Sequence, residues 1–326
     1  MAIIDLGGAY DMHIHSAPAP FVRIGDSIDI ATWCAEAGMA GLVIKSHFES
    51  TISKVHHARR ALQDRFPDFK IFSAIALNRG CGGVNPRAVE MALGLGAKVV
   101  WLPTLDAEGH AKGFGQSGTY GFRAMTLDFK PPRTPLANAP ITVLEDEKLY
   151  TVTENGVLTK ETKRVIELVR DYGAVLGTGH ISRDEIFAVY DYCVAAGLDR
   201  VVVTHPEFRT PNLDIKAIED LAEAGAYMEF CAVDCFPIHA VKTVEEIRDM
   251  ILAAGIKRSI LSSDAGQPWA ARPPETLRVF LQCLHEKGLA PEQLRTMVTD
   301  NPELLLGIER KAEATSLGAN VERIHA

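Results

Sequence analysis

Short apolar segments alternate with helical ones eight times along this chain, and that rhythm limits the fold more than any single residue does. The strand-like runs are Tyr10–His15, Gly41–Ile44, Ile71–Leu77, Lys98–Leu102, Ala174–Leu176, Arg200–His205, Ala226–Phe230 and Ser259–Leu261. Nearly all are apolar and rich in β-branched residues, as expected of strands covered on both faces. Helical periodicity fills the gaps: Asp26 to Gly38, Ile52 to Phe66, Asn85 to Leu95, Thr159 to Asp171, a helix opened by the capping box Ser182-Arg183-Asp184-Glu185, Ile215 to Ala224, and Val244 to Ala254. Pro274 onward reads as helical, with breaks at Gly288 and Asn301-Pro302. The count and order predict one α/β domain over residues 1–326, a parallel eight-stranded (β/α)8 TIM barrel, in preference to an open doubly wound sheet. No GxGxxG or GxxxxGK[ST] follows a strand, which counts against nucleotide binding.

The rhythm breaks once. Residues 106 to about 140 are rich in Gly, Pro, Thr and Ser, and Ile141–Leu144 with Leu149–Val152 predict a hairpin. Because the alternation then resumes, residues 106–155 are expected to be an insertion between strands 4 and 5, serving as a lid or as a subunit contact in a homo-oligomer. Gly113, Gly115, Gly118 and Gly121 would give it mobility, and Phe114, Tyr120 and Phe122 would cover a small ligand.

Composition removes several classes of partner. The 326 residues are 47% hydrophobic with a net charge of −8 and no Lys/Arg-rich block, so no nucleic-acid footprint is expected. No apolar run approaches the ~20 residues of a membrane span, and Met1–Asp5 does not open a signal peptide. The six cysteines (34, 81, 193, 231, 235 and 283) are scattered without a CxxC and predict reduced core residues of a cytoplasmic protein. Cys231 and Cys235 as a ligand pair are disfavoured by the apolar run around Cys231.

Five polar residues stand at or just past strand ends. His13 and His15 close strand 1 on one face, because side chains alternate along a strand. His180 follows strand 5, His205 ends strand 6 and Asp264 follows strand 8. In a barrel all five meet at the C-terminal rim, where active sites form. Taken singly, His180 reads as a helix cap, His205 before Pro206 as a turn residue, and Asp264 before Ala-Gly as a turn or N-cap. Four imidazoles and one carboxylate together suit a divalent metal, zinc first, with manganese, iron or nickel as alternatives.

This set resembles the metal-dependent amidohydrolase superfamily across residues 8 to 308, including the Asn301-Pro302-Glu303-Leu304-Leu305 run that resembles its closing helix. Within the superfamily the chain is similar to a poorly characterised bacterial group, through His13-Ile14-His15, Gly177-Thr178-Gly179-His180 and Thr204-His205-Pro206-Glu207-Phe208. The resemblance implies that His13, His15, His180 and His205 are metal ligands or near-ligands and that Asp264 is a ligand and proton acceptor. It implies fold and metal but no substrate. The chain departs from the pattern at strand 4, which ends Trp101-Leu102-Pro103-Thr104 without the bridging carboxylated lysine or glutamate of two-metal members. Lys45 and His47 share one face at the end of strand 2. Lys45 is either a carbamylated bridge between metals, a cationic substrate or acid/base group, or a rim lysine paired with Glu49 or another acid, so one ion or two remain open.

The expected chemistry is hydrolysis of an amide, lactone or related ester of a small molecule by metal-activated water. Asp264 takes and returns the proton, and His205, if not a ligand, polarises the carbonyl. Substrate contacts are expected from His47, Asn78, Arg79, Trp101, Thr104, Glu207, Arg209, Glu229, Asp234, His239, Gln267 and Trp269. The arginines favour a substrate carboxylate, or else they balance nearby acids. A metal-dependent decarboxylase or other lyase on the same residues is the main alternative. A phosphoesterase and a non-catalytic metal-binding protein are less favoured.

Overall fold

The computed structural model describes residues 4–114, 149–236 and 239–309. Eight parallel strands form one sheet in sequence order: Tyr10–His15, Gly41–Lys45, Lys70–Ala76, Ala97–Trp101, Val175–Gly177, Val201–Thr204, Tyr227–Cys231 and Ser259–Ser262. They are numbered here as the first to eighth barrel strands. The first and eighth meet where His15 N–H donates to Ala265 O (2.8 Å) and Ser263 N–H donates to both carboxylate oxygens of Asp11 (3.1 and 3.2 Å). This closes the (β/α)8 barrel that the alternation predicts. No helix among the described residues is long and apolar enough to cross a membrane.

The helices form for local reasons, and most end close to where the sequence places their ends. Asp26 caps α1 (Ser27–Glu36) in a reciprocal capping box with Asp29, and Asn85 caps α3 (Pro86–Gly94) with proline in its first turn. Thr159 caps α5 (Lys160–Asp171), and Glu185 bonds back to Ser182 at the start of α6 (Arg183–Ala196). Helix α2 (Ile52–Leu62) stops short of Phe66. Helices α7 (Ile215–Ala224) and α8 (Val244–Ala254) carry apolar stripes such as Ile218, Leu221 and Ile247, Ile251 toward the sheet.

Two apolar layers result. Outward-facing strand residues, among them Leu42, Ile44, Val100, Leu176, Val203 and Leu261, pack with the helices. Inward-facing ones, among them Tyr10, Met12, Val43, Phe72, Val99, Trp101, Val202, Tyr227 and Ile260, fill the barrel, and Leu305 and Leu306 of the closing helix Asn301–Leu306 pack on them. Gly177 carries no side chain because Trp101 occupies that space: a Cβ there would lie 2.3 Å from the indole.

The segment after strand 4 differs from its expectation. Glu108–Phe114 is a helix, α4, and Gly109 and Gly113 belong to it. A Cβ on Gly109 would sit 2.8 Å from His180 O, and one on Gly113 would sit 2.3 Å from Thr210 Oγ1. These two glycines therefore permit close packing. Leu149–Val152 does not form the expected strand: Tyr150 makes one bridge to Ala107, and the antiparallel hairpin is Thr153–Glu154 with Val157–Leu158. Ile141–Leu144, Gly115, Gly118, Tyr120, Gly121 and Phe122 lie outside the described residues.

Candidate metal centre

The first strand is not a simple alternation. Tyr10 and Met12 face the barrel interior and Ile14 faces the helices, with an irregularity in the register between Asp11 and Ile14. Such a bulge re-aims side chains, and here it turns both His13 and His15 to the mouth. Strands two, seven and eight lead there directly along their inward faces, through Val43–Lys45–His47, Tyr227–Glu229–Cys231 and Ile260–Ser262–Asp264. His205 and Asp264 each leave their strand in a left-handed conformation, φ 50° and 48°.

Three imidazoles converge on one carboxylate. His15 Nε2 lies 3.0 Å and His13 Nε2 3.3 Å from Asp264 Oδ1, and His205 Nε2 lies 3.5 Å from Asp264 Oδ2. His13, His15 and Asp264 offer ligand atoms within 4.8 Å of one another. So do His13, His205 and Cys231, but Cys231 Sγ sits 3.8 Å from His13 Nδ1, the side of the ring already taken by Glu229.

The far sides of two of these rings, those of His13 and His205, are fixed. His13 Nδ1 donates to Glu229 Oε2 (3.2 Å), whose other oxygen accepts from Ser262 Oγ (2.9 Å). His205 Nδ1 donates to Asp234 Oδ2 (2.8 Å). The tautomers follow from these partners. With its proton on Nδ1, each ring turns the lone pair of Nε2 toward Asp264, the carboxylate–histidine arrangement typical of metal ligands. Burial, then the neighbouring positive charges, holds His13 and His15 well below the ordinary histidine pKa, so both are neutral. Burial raises the Asp264 carboxyl, but its basic neighbours His13, His205 and Lys45 outweigh it, Lys45 carrying the charge where the imidazoles are neutral, and hold it below the ordinary carboxylate value. Asp264 Oδ1 is buried with no hydrogen-bond donor. The Nε2 lone pair of His205 faces the anionic oxygen of Asp264, and that of His13 is shared with the Lys45 ammonium, an arrangement that a cation between the imidazoles and the carboxylate would relieve. Two or three imidazole nitrogens and one carboxylate oxygen suit a divalent transition metal, so the residues fit one.

The other expected residues are distributed around this centre. Lys45 is buried, its Nζ donating to His13 Nε2 (2.8 Å) and lying 4.8 Å from the Trp101 ring. Burial lowers its pKa, against the pull of Asp264 and Glu229. It does not pair with Glu49, whose partner is Lys54 (2.8 Å). His47 stacks on His15 at 4.6 Å and is held by Thr104 Oγ1 (2.8 Å), which Asn78 Nδ2 also reaches (2.6 Å). Arg79 Nε donates to Asp106 Oδ1 (2.9 Å). Glu229 and Asp234 stand behind the imidazoles. Glu207 is buried near Asp234, and burial pushes both acids well above the carboxylate range. Arg209 lies over the Phe114 ring at 5.6 Å.

His180 is in neither ligand group. It faces His110, Nδ1 to Nδ1 at 2.9 Å, with the rings stacked. His110 comes from α4 and is absent from the residues that the strand-end rule selects. A small cavity is lined by Lys45, His47, His110, His180, His205 and Asp264, with Phe114, Phe208, Val233, His239 and Gln267 completing its wall.

A family described as being of unknown function, DUF6282, matches residues 8–229. No curated protein sequence matches the chain. Solved structures with a similar fold include an amidohydrolase from Pseudomonas aeruginosa, 10% identical, with a TM-score of 0.57 over 92% of this chain and 95% of that one. Dipeptidase AC, a metallopeptidase, is 11% identical, with a TM-score of 0.59 over 92% and 98%. Organophosphorus hydrolase from Deinococcus radiodurans is 14% identical, with a TM-score of 0.55 over 94% of each chain. The amidohydrolase resemblance drawn from the strand-end residues is thus borne out in the fold.

Proposed function

The chain belongs to a family of unknown function, DUF6282, and we propose from its site that it is a metal-dependent hydrolase of amide, lactone or related ester bonds in small molecules. The observation that carries this reading is the convergence of His13, His15 and His205 on Asp264, whose Oδ1 is buried without a donor. The similar folds of a dipeptidase and an organophosphorus hydrolase support it.

His13, His15 and Asp264 would hold the ion, with His205 as a further ligand or a group facing the substrate carbonyl. His180, whose Nδ1 meets His110, would offer Nε2 as a further ligand or near-ligand. Zinc is the first choice, because the donor set is nitrogen-rich and borderline-soft. When bound, such an ion supplies Lewis acidity and makes a water ionise near neutral pH. Asp264, kept ionised by its surroundings, accepts the proton of the attacking water and delivers it to the leaving group. Glu229 and Asp234 keep His13 and His205 in the tautomer that the site requires. Lys45, with its pKa lowered by burial, is the second group able to move a proton at the mouth. His47, Asn78, Arg79, Trp101, Glu207, Arg209 and His239 surround the substrate or support the residues that touch it. One domain with an insertion after strand 4, in a reducing compartment such as the cytoplasm, accommodates the six free cysteines.

The test is product analysis in ¹⁸O-labelled water with metal-loaded protein and a panel of small amides and lactones. One labelled oxygen in the acid product is expected. Carbon dioxide released without label would favour the lyase, and metal-independent turnover would overturn the reading.

A further inference from the structure

Among the described residues lining the cavity, two buried side-chain oxygens have no hydrogen-bond partner: Asp264 Oδ1, explained by a cation, and Gln267 Oε1. Gln267 is only 7% exposed. Its Nε2 donates to Asp264 O (2.8 Å). A carbonyl only accepts, so the nitrogen must face it and Oε1 must occupy the other end of the amide. The loop cannot easily turn to satisfy that oxygen. Ala265 N–H bonds Ser263 Oγ (3.0 Å), Ile24 N–H bonds Gly266 O (2.9 Å) and Ala270 N–H bonds Gln267 O (3.1 Å).

We propose that Gln267 is a specificity-determining residue whose Oε1 accepts a hydrogen bond from an N–H of the substrate beside the reacting bond. This rests on the hydrolase reading above. A buried acceptor left without a donor is costly, and a site built around one discriminates against ligands that cannot supply it. Of the bond types open to this site, the amide of a primary or N-monosubstituted carboxamide brings such a donor, whereas an ester or lactone does not. Gln267 and Asp264, the residue that handles the proton, line the same small cavity, so an N–H bound there belongs to the part of the substrate that reacts. Gln267 thereby favours amides over lactones.

The test uses binding to the metal-loaded full chain. Acetohydroxamic acid and N-methylacetohydroxamic acid both chelate metals but differ in one N–H. Calorimetric titration should give at least about tenfold tighter binding of the N–H form by the unaltered protein. In Gln267→Leu, or Gln267→Met if the leucine variant does not fold, the two should bind within about twofold of each other. Equal binding by the unaltered protein, no binding of either, or a preference that survives both substitutions would overturn the assignment, the last pointing to steric exclusion of the methyl group. Those outcomes, with stoichiometric metal present, leave the hydrolase reading intact. Failure to take up metal at all would remove both.

Discussion

His205 and Asp264 leave different strands of the barrel in the same left-handed backbone conformation, φ 50° and 48°, and so bring Nε2 and Oδ2 to 3.5 Å. Residues other than glycine rarely hold that conformation, and where they do the cost is often repaid at a functional site. Asn and Asp tolerate it better than other side chains.

Asp264→Asn therefore preserves the backbone while removing the charge. Assayed at saturating metal, it should lose at least about 100-fold in turnover, the usual contribution of a positioned acid/base. Steady-state rates and metal content on the same preparation check this. Undiminished turnover would refute the role.

Asp234→Asn acts through His205. The asparagine loses the charge and gains an NH2 that can donate to Nδ1, so the ring is free to change tautomer, and metal affinity should fall about 10- to 100-fold. Competition against a chelator of known affinity measures it. An unchanged affinity would mean that His205 is not a ligand.

Much of this was legible in the sequence. The strand ends at His15, His205 and Asp264 could be read because an apolar run closing in a polar residue is a strong local signal. The helix carrying His110 could not. Gly109 and Gly113 look like loop composition, and their real function, close approach to His180 O and Thr210, is a tertiary fact. Nor could alternation foresee the bulge that places Met12 inside the barrel together with His13. Glu229 and Asp234 read as substrate contacts because they end a strand, but they orient His13 and His205 from behind. Nothing local marks which side of an imidazole a carboxylate will meet.

Gly266 sits at φ +132° with His15 O only 2.1 Å from where a Cβ would stand. Gly266→Ala should destabilise the fold by at least about 2 kcal/mol and disturb both Asp264 and Gln267. Denaturant unfolding measures the first effect. A stability change below about 0.5 kcal/mol would show that the loop adapts.

Burial lowers the pKa of His239 from 6.5 to about 4. The unfolded chain takes up a proton near pH 6.5 that the native protein refuses until about pH 4, so this residue's contribution to stability is full above 6.5 and falls through that window. His239→Gln should therefore gain about 2 kcal/mol on the unaltered metal-free protein between pH 7.5 and 4.5. The comparison cancels the opposite effect of Asp11, which burial raises to about 7. Urea unfolding at both pH values tests it, and a pH-independent difference would contradict it.

The most direct measurement is metal content by mass spectrometry, made on the unaltered protein and on His13→Ala and His15→Ala after reloading with zinc. At least one divalent ion per chain, lost in both variants while their folds persist, is the predicted result. An unaltered protein that takes up no ion, or variants that hold as much as it does, would contradict a cation at the meeting point of His13, His15 and Asp264.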